Sequence, residues 1–310
     1  MSKYILKRLL TLIPTLLAVI FIVYFIMDLT PGDPGTLILG ERASQEEIDA
    51  KNEELGYNKP LPVRYVNYVA DLVHGDMGNS WKSGRPVMGE IIARLPVTVT
   101  LAVGAILIGT VIGILVGILS AVKQYSFLDF SATAIAMALA SFPGFWIGMM
   151  LILLFSLYLG WLPSFGGGDL KHYILPWITT ACPFLASQMR MTRTSMLEVI
   201  RMDYIRTARA KGQRESKIIM QHALRNALLP VVTILGINFG GLLGGTVTIE
   251  TVFTLPGVGS LIIEAIRTKD VPIVTGATVM LASFFAILML IVDVLYAYID
   301  PRIKSRYERK

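Results

Sequence analysis

Asp203 to Pro230 reads DYIRTARAKGQRESKIIMQHALRNALLP, a polar stretch set between two apolar blocks. Nine Lys/Arg fall between Arg190 and Arg225. In a membrane protein, so basic a segment between two hydrophobic spans marks a cytoplasmic loop. Tyr204 to Lys211 tolerates a helix, Gly212 supplies a C-terminal stop, and Ser216 restarts a helical pattern. The stretch therefore predicts helix, turn and second helix. At about 100° per residue, Tyr204, Ile205, Ala208 and Gly212 share one sector, with Asp203, Arg206 and Ala210 opposite. A small-residue helix with a basic rim suits a groove on a soluble partner, and a loop meeting anionic headgroups has the same composition.

The 310 residues are 54% hydrophobic and 16% charged, with mean hydropathy +0.62. That is too apolar for an ordinary soluble domain and predicts an all-α polytopic membrane protein. The net charge of +6 is explained by cytoplasmic loops, so no nucleic-acid partner is called for. A single cysteine, Cys182 in an apolar segment, excludes an internal disulfide and a cysteine-based metal cluster.

Lys3, Lys7 and Arg8 precede an apolar run to Leu29, long enough to cross a bilayer and retained as a first span with the N-terminus inside. Residues 30–95 then form a small external subdomain. There Ser44 with Glu47 makes a capping box before a helix near Gln45 to Leu55, and Pro60-Leu61-Pro62 leads into a second helix. Val97 to Val122 is a second span. Its Gly109, Gly113 and Gly117 let another backbone approach, either within the chain or across a subunit interface. A third span, about Phe130 to Leu159, is interrupted at Pro143-Gly144, and a fourth runs Tyr173 to Ile200. Leu228 to Ile249 is a fifth, and its Gly236, Gly240, Gly241, Gly244 and Gly245 suit either a translocation path or close packing. A short external helix near Leu261 to Thr268 precedes a sixth span, Ile273 to Ile299. With this topology 18 of the 28 Lys/Arg lie inside and both termini are cytoplasmic. The domains are thus 1–29, 30–95 and 96–310, the last holding the cytoplasmic loop at about 200–226.

Asp293 is an acid inside the sixth span, where an unpaired charge costs a few kcal/mol, so it predicts an ion pair with Arg190, Arg193 or the basic C-terminus. No HExxH and no GxxxxGK[ST] is present, and His74, His172 and His222 fall outside span interiors. The chain therefore predicts neither a catalytic site, nor a metal site, nor an ATPase of its own. A stand-alone secondary carrier would show coupling acids or paired repeats, and Asp293 alone is thin support. An importer subunit driven by a separate motor fits better.

Thr207, Ala208 and Gly212 stand where the EAA loop of ABC importer permeases has its second and third motif residues and its glycine, with Arg206 in the usually acidic first position. The later Ile-x-Leu-Pro appears as His222 to Arg225, its proline delayed to Pro230. YIRTARAKG and HALRNALLP, with TPGDP, HGDMGNSWKSGRPV, SFPGFWIGMMLILLF, YLGWLPSFG, VFTLPGVGSL and DPRI, resemble the B-type permeases of dipeptide, oligopeptide and nickel importers. That resemblance implies a type I importer fold of six spans in a bacterial or archaeal cytoplasmic membrane. It implies a heterodimer with a homologous C-type permease, two ABC ATPase subunits that carry ATP and Mg, and an extracytoplasmic solute-binding protein. It makes Tyr204, Ile205, Arg206, Thr207, Ala208, Arg209, Ala210, Lys211 and Gly212 the coupling helix, with Ile205, Arg206, Ala208, Arg209 and Gly212 expected to carry the ATPase contact. Short peptides are the implied cargo, with nickel or metallophore complexes, glutathione or another small solute as alternatives.

Overall fold

The computed structural model describes residues 2–40, 42–166 and 168–299, giving the backbone alone at 2–9, 237, 239–241, 243–245 and 291–299. The described residues are helical apart from loops and one isolated bridge, Asn79 to Pro86. They divide into two compact units, one of Met1–Thr98 with Pro256–Leu290, the other of Val99–Leu255 with the residues from Ile291.

The first unit begins with α1 (Ser2–Leu29), followed by α2 (Pro34–Leu39), α3 (Gln45–Glu54) and α4 (Leu61–Val73). The capping box is present: Ser44 and Glu47 each satisfy the other's backbone N–H, which fixes where α3 starts. Asp33 caps α2 by accepting from Thr36 N–H at 2.8 Å, while Asn52 of α3 donates to Asp33 at 2.8 Å and accepts from Gly35 N–H at 2.8 Å. A Cβ on Gly35 would lie 2.7 Å from the Ile48 carbonyl, so α2 meets α3 at glycine distance. Residues Val87 to Thr98 of α5 (Val87–Val122), together with α12 (Val258–Arg267) and the start of α13 (Val271–Ile299), complete the unit.

Two adjacent residues before α13 tie these pieces together. Lys269 is buried with φ +51, its ammonium bonded to the Gly32 carbonyl and, at 2.9 Å, to the Tyr57 hydroxyl. Asp270 accepts from the Ser80 hydroxyl and from the N–H groups of Trp81 and Lys82 at 3.1 and 3.3 Å. A non-glycine residue in the left-handed region is strained and persists only where its surroundings over-determine it, as these bonds do.

The second unit is built on α6 (Phe127–Ser141), α7 (Gly144–Leu151) with a π-helical continuation Ile152–Tyr158, α8 (Lys171–Ile200) and α11 (Leu224–Val252). The Pro143-Gly144 interruption is sharper than a kink, for α6 and the helix after it are bent by 106°. Proline removes a backbone donor and clashes with the preceding turn, so the helix stops at Ser141 and restarts with Pro143 at its N-terminus.

The glycines of α5 are used within the chain. A Cβ on Gly109 would lie 3.0 Å from Phe184 Cβ, one on Gly113 2.8 Å from Gln188 Cβ, and one on Gly117 2.7 Å from the Met189 carbonyl. Every third or fourth residue of α8 thus fits against a bare backbone on α5. Higher on the same helix Trp177 covers Gly104 and donates to the Thr100 carbonyl at 2.9 Å.

Leu10–Leu29, Val87–Val122, Glu215–Gly236 and Val271–Leu290 are each long and apolar enough to cross a membrane, and the bent pair would add a fifth span. Helix α8 has 30 residues but is less apolar, chiefly through Lys171, Arg190, Arg193 and Glu198; it also carries Thr179, Thr180, Gln188, Thr192 and Ser195. The structure buries all five of them.

Candidate functional site

Between α8 and α11 lie α9 (Asp203–Ala210) and α10 (Glu215–Lys217), the latter passing into a π-helical turn, Ile218–Ala223, before α11. Lys211 ends α9 and Gly212 turns the chain at φ +73, a conformation that costs glycine little. Helix, turn and second helix therefore fall where the sequence predicts them.

The amphipathic face of α9 does not point outward. Ile205 is fully buried and Ala208 nearly so, packed with Ile118, Ala121, Met196, Val199, Ile218, Ile219, Ala223 and Ala227 of the same unit. These two side chains, expected to carry a partner contact, instead anchor the helix to its own bundle. The apolar surface removed from water is worth about 2 kcal/mol for a side chain of isoleucine size. Tyr204, at the edge of this seat, accepts from Asn226 Nδ2 at 2.8 Å. His222 lies 2.9 Å from Gln213 across the turn.

The opposite face is exposed and carries Asp203, Arg206, Thr207, Arg209, Ala210 and Lys211. Arg209 reaches across the hairpin to Glu215 at 2.6 Å, an exposed pair that bridges the two short helices. Arg206 lies 3.7 Å from Asp203 on open surface, a pair that contributes little. The result is a basic knob whose inner side is apolar and buried and whose outer side is exposed.

Behind the knob is an ion pair that sequence reasoning missed. Buried Asp129, near the start of α6, accepts from Arg193 Nε at 2.7 Å and Arg193 Nη2 at 2.8 Å, from Tyr125 N–H at 3.0 Å, and from the Ser120 hydroxyl. One carboxylate thereby joins the ends of α5 and α6 to α8. Arg193, one partner expected for Asp293, is engaged by Asp129; the Asp293 side chain and the basic C-terminus lie outside the described residues. Arg190, another expected partner, is exposed on α8. Gly236 is buried in α11; Gly240, Gly241, Gly244 and Gly245 continue the same helical backbone, with their surroundings outside the described residues.

Residues 113–305 match the family described as "Binding-protein-dependent transport system inner membrane component", and residues 1–102 match the N-terminal region of such membrane components. The chain is 41% identical over 306 residues to the glutathione transport system permease protein GsiC of Pectobacterium atrosepticum, covering 99% of this chain and all of that one. It is also 41% identical over 332 residues to the dipeptide transport system permease protein DppB of Alkalihalophilus pseudofirmus, covering 98% and 100%. Among solved structures, an inward-facing form of the MetNI methionine ABC transporter superposes with a TM-score of 0.57 at 22% identity, over 69% of this chain and 97% of that one. That likeness shows the fold.

Proposed function

The chain belongs to the family of binding-protein-dependent transport system inner membrane components, and from that premise we propose that it is the permease subunit of an ATP-driven importer of short peptides. It is a multi-pass inner membrane protein. In this reading both termini are cytoplasmic, a second, homologous permease completes the pathway, and an extracytoplasmic binding protein delivers the solute. Of two ATPase subunits on the cytoplasmic face, one docks on α9, and ATP and Mg belong to them; the chain itself carries out no chemistry.

The observation that carries the reading is the seating of α9. Its apolar face is locked into the ends of α5 and α8 and the start of α11, and its charged face is left outward. A push on the knob cannot be absorbed locally and must move the helices to which it is bonded. Arg206, Arg209, Ala210 and Lys211 form the contact, with Ile205 and Ala208 acting as the anchor.

Peptide cargo is supported by the likeness to a dipeptide permease, and glutathione by an equal likeness to a glutathione permease. Both cargoes are small molecules built on amide bonds. Proteoliposomes containing the complete importer would accumulate labelled dipeptide only with ATP and the binding protein present. Solute accumulation by the lone chain without nucleotide would refute the reading.

A further inference from the structure

Ser187 and Asn238 are polar residues near the middle of two long helices. Counted at about 1.5 Å per residue, Ser187 lies about 24 Å along α8 and Asn238 about 21 Å along α11. Both helices are about 45 Å long, so each residue sits near mid-length. The two helices pack along one another, and Asn238 Nδ2 donates to Ser187 Oγ at 2.8 Å, while Ser187 Oγ donates to the Phe184 carbonyl at 3.0 Å. Both residues are only half-buried.

An incompletely buried asparagine between two spanning helices is costly against lipid, which offers no hydrogen bonds, and is comfortable against a water-filled path. More unmatched polarity follows on the same stretch of α8. The neighbouring Gln188 is almost fully buried; its Nε2 donates to the Val231 carbonyl at 3.2 Å and its Oε1 has no partner. Thr180 and Thr192 are likewise buried with unpaired hydroxyls.

Building on the peptide-importer reading, we propose that Asn238, held in place by Ser187, hydrogen-bonds the backbone of the transported peptide at mid-membrane. The atom inventory fits this occupant. One N–H of the carboxamide is used by Ser187, which leaves one N–H and the carbonyl oxygen. Those two groups complement the C=O and N–H that flank one residue of an extended peptide. No Asp, Glu, Lys or Arg occurs between Arg225 and Glu250, so the contact on α11 is neutral. Neutral bonds to the main chain leave cargo side chains unread and release the cargo easily, as a pathway requires. Ser187 is a positioning residue, because its own hydroxyl hydrogen is committed to Phe184.

The test uses the complete importer in proteoliposomes and two cargoes, a short peptide and its backbone N-methyl analogue, which lacks one N–H donor. The binding protein's own preference is common to every permease variant and cancels in the comparison. Wild type is expected to prefer the unmethylated peptide, and Asn238→Leu, of similar shape without the carboxamide, to shrink that preference about five-fold, the size of one hydrogen bond. An unchanged preference in Asn238→Leu overturns this assignment alone. Uptake of neither cargo by wild type overturns the peptide reading and this assignment with it. Should Asn238→Leu fail to assemble, Asn238→Cys in a Cys182→Ala background is probed with a charged, membrane-impermeant thiol reagent. Modification supports the aqueous placement, and complete resistance in both nucleotide-free and ATP-bound states overturns it.

Discussion

Asp129 and Arg193 show how one residue pair can fix two helix ends to a third helix. The carboxylate is buried and doubly bonded to the guanidinium, so removal of either partner leaves the other charge uncompensated. Asp129→Asn or Arg193→Met should each destabilise the detergent-solubilised subunit by about 3 kcal/mol, and the double variant by less than the sum. Thermal midpoints of the four proteins measure this coupling; strict additivity would mean that the pair contributes nothing jointly. Asp33 offers a pH readout in the external subdomain. Burial raises its pKa, but bonds from the Thr36 N–H, Asn52 and the Thr36 hydroxyl, with the charge of Lys269, outweigh that and leave it below the usual carboxylate value. A depressed pKa stabilises the fold above the ordinary range near pH 4 and loses that contribution as pH falls through and below it. Hydrogen-exchange protection of α2 should therefore drop on acidification, and Asp33→Asn should remove most of that pH dependence.

At the scale of elements, the glycines of α5 form a graded series. A methyl on Gly117 meets the Met189 carbonyl at 2.7 Å and Thr192 Cβ at 2.7 Å, neither of which can swing away, whereas on Gly109 the nearest atoms are at 3.0 and 3.1 Å. Gly117→Ala should lower the thermal midpoint by several degrees, corresponding to about 1–3 kcal/mol of overpacking, and Gly109→Ala by less. The four-residue spacing was legible in the sequence, but its partner was not. Residue spacing reports that a backbone can come close and says nothing about which one. Helix α9 gives the same lesson. Its ends at Asp203 and Ala210 and its turn at Gly212 follow from local chemistry, which sequence displays well. Its orientation does not, since an apolar sector looks alike whether it seats on the chain's own core or on a partner. Ile205 and Ala208, expected at a partner contact, are buried within the chain's own core.

For the whole molecule, the legible features were those set by neighbours in sequence: the apolar runs, the Ser44–Glu47 box, the break before Gly144 and the restart after Gly212. The hidden ones close over long separations. Lys269 meets Gly32, and Arg193 meets Asp129, through pairings that no window of periodicity samples. Helix α8 reads as a span from its apolar run, yet it buries Thr179, Thr180, Gln188, Thr192 and Ser195 alongside its apolar residues. Buried polar side chains of this kind are what a helix facing other helices shows. The central claim is that a knob held by its inner face passes motion from a soluble motor into this bundle. Cysteine cross-linking in the assembled importer tests it most directly, with single cysteines at Ala210 on the outer face and at Ile205 on the inner face, in a background lacking Cys182. The account predicts an adduct between Ala210→Cys and an ATPase subunit and none from Ile205→Cys. No adduct at Ala210→Cys, with adducts forming instead from cysteines in the 42–58 segment, would contradict it.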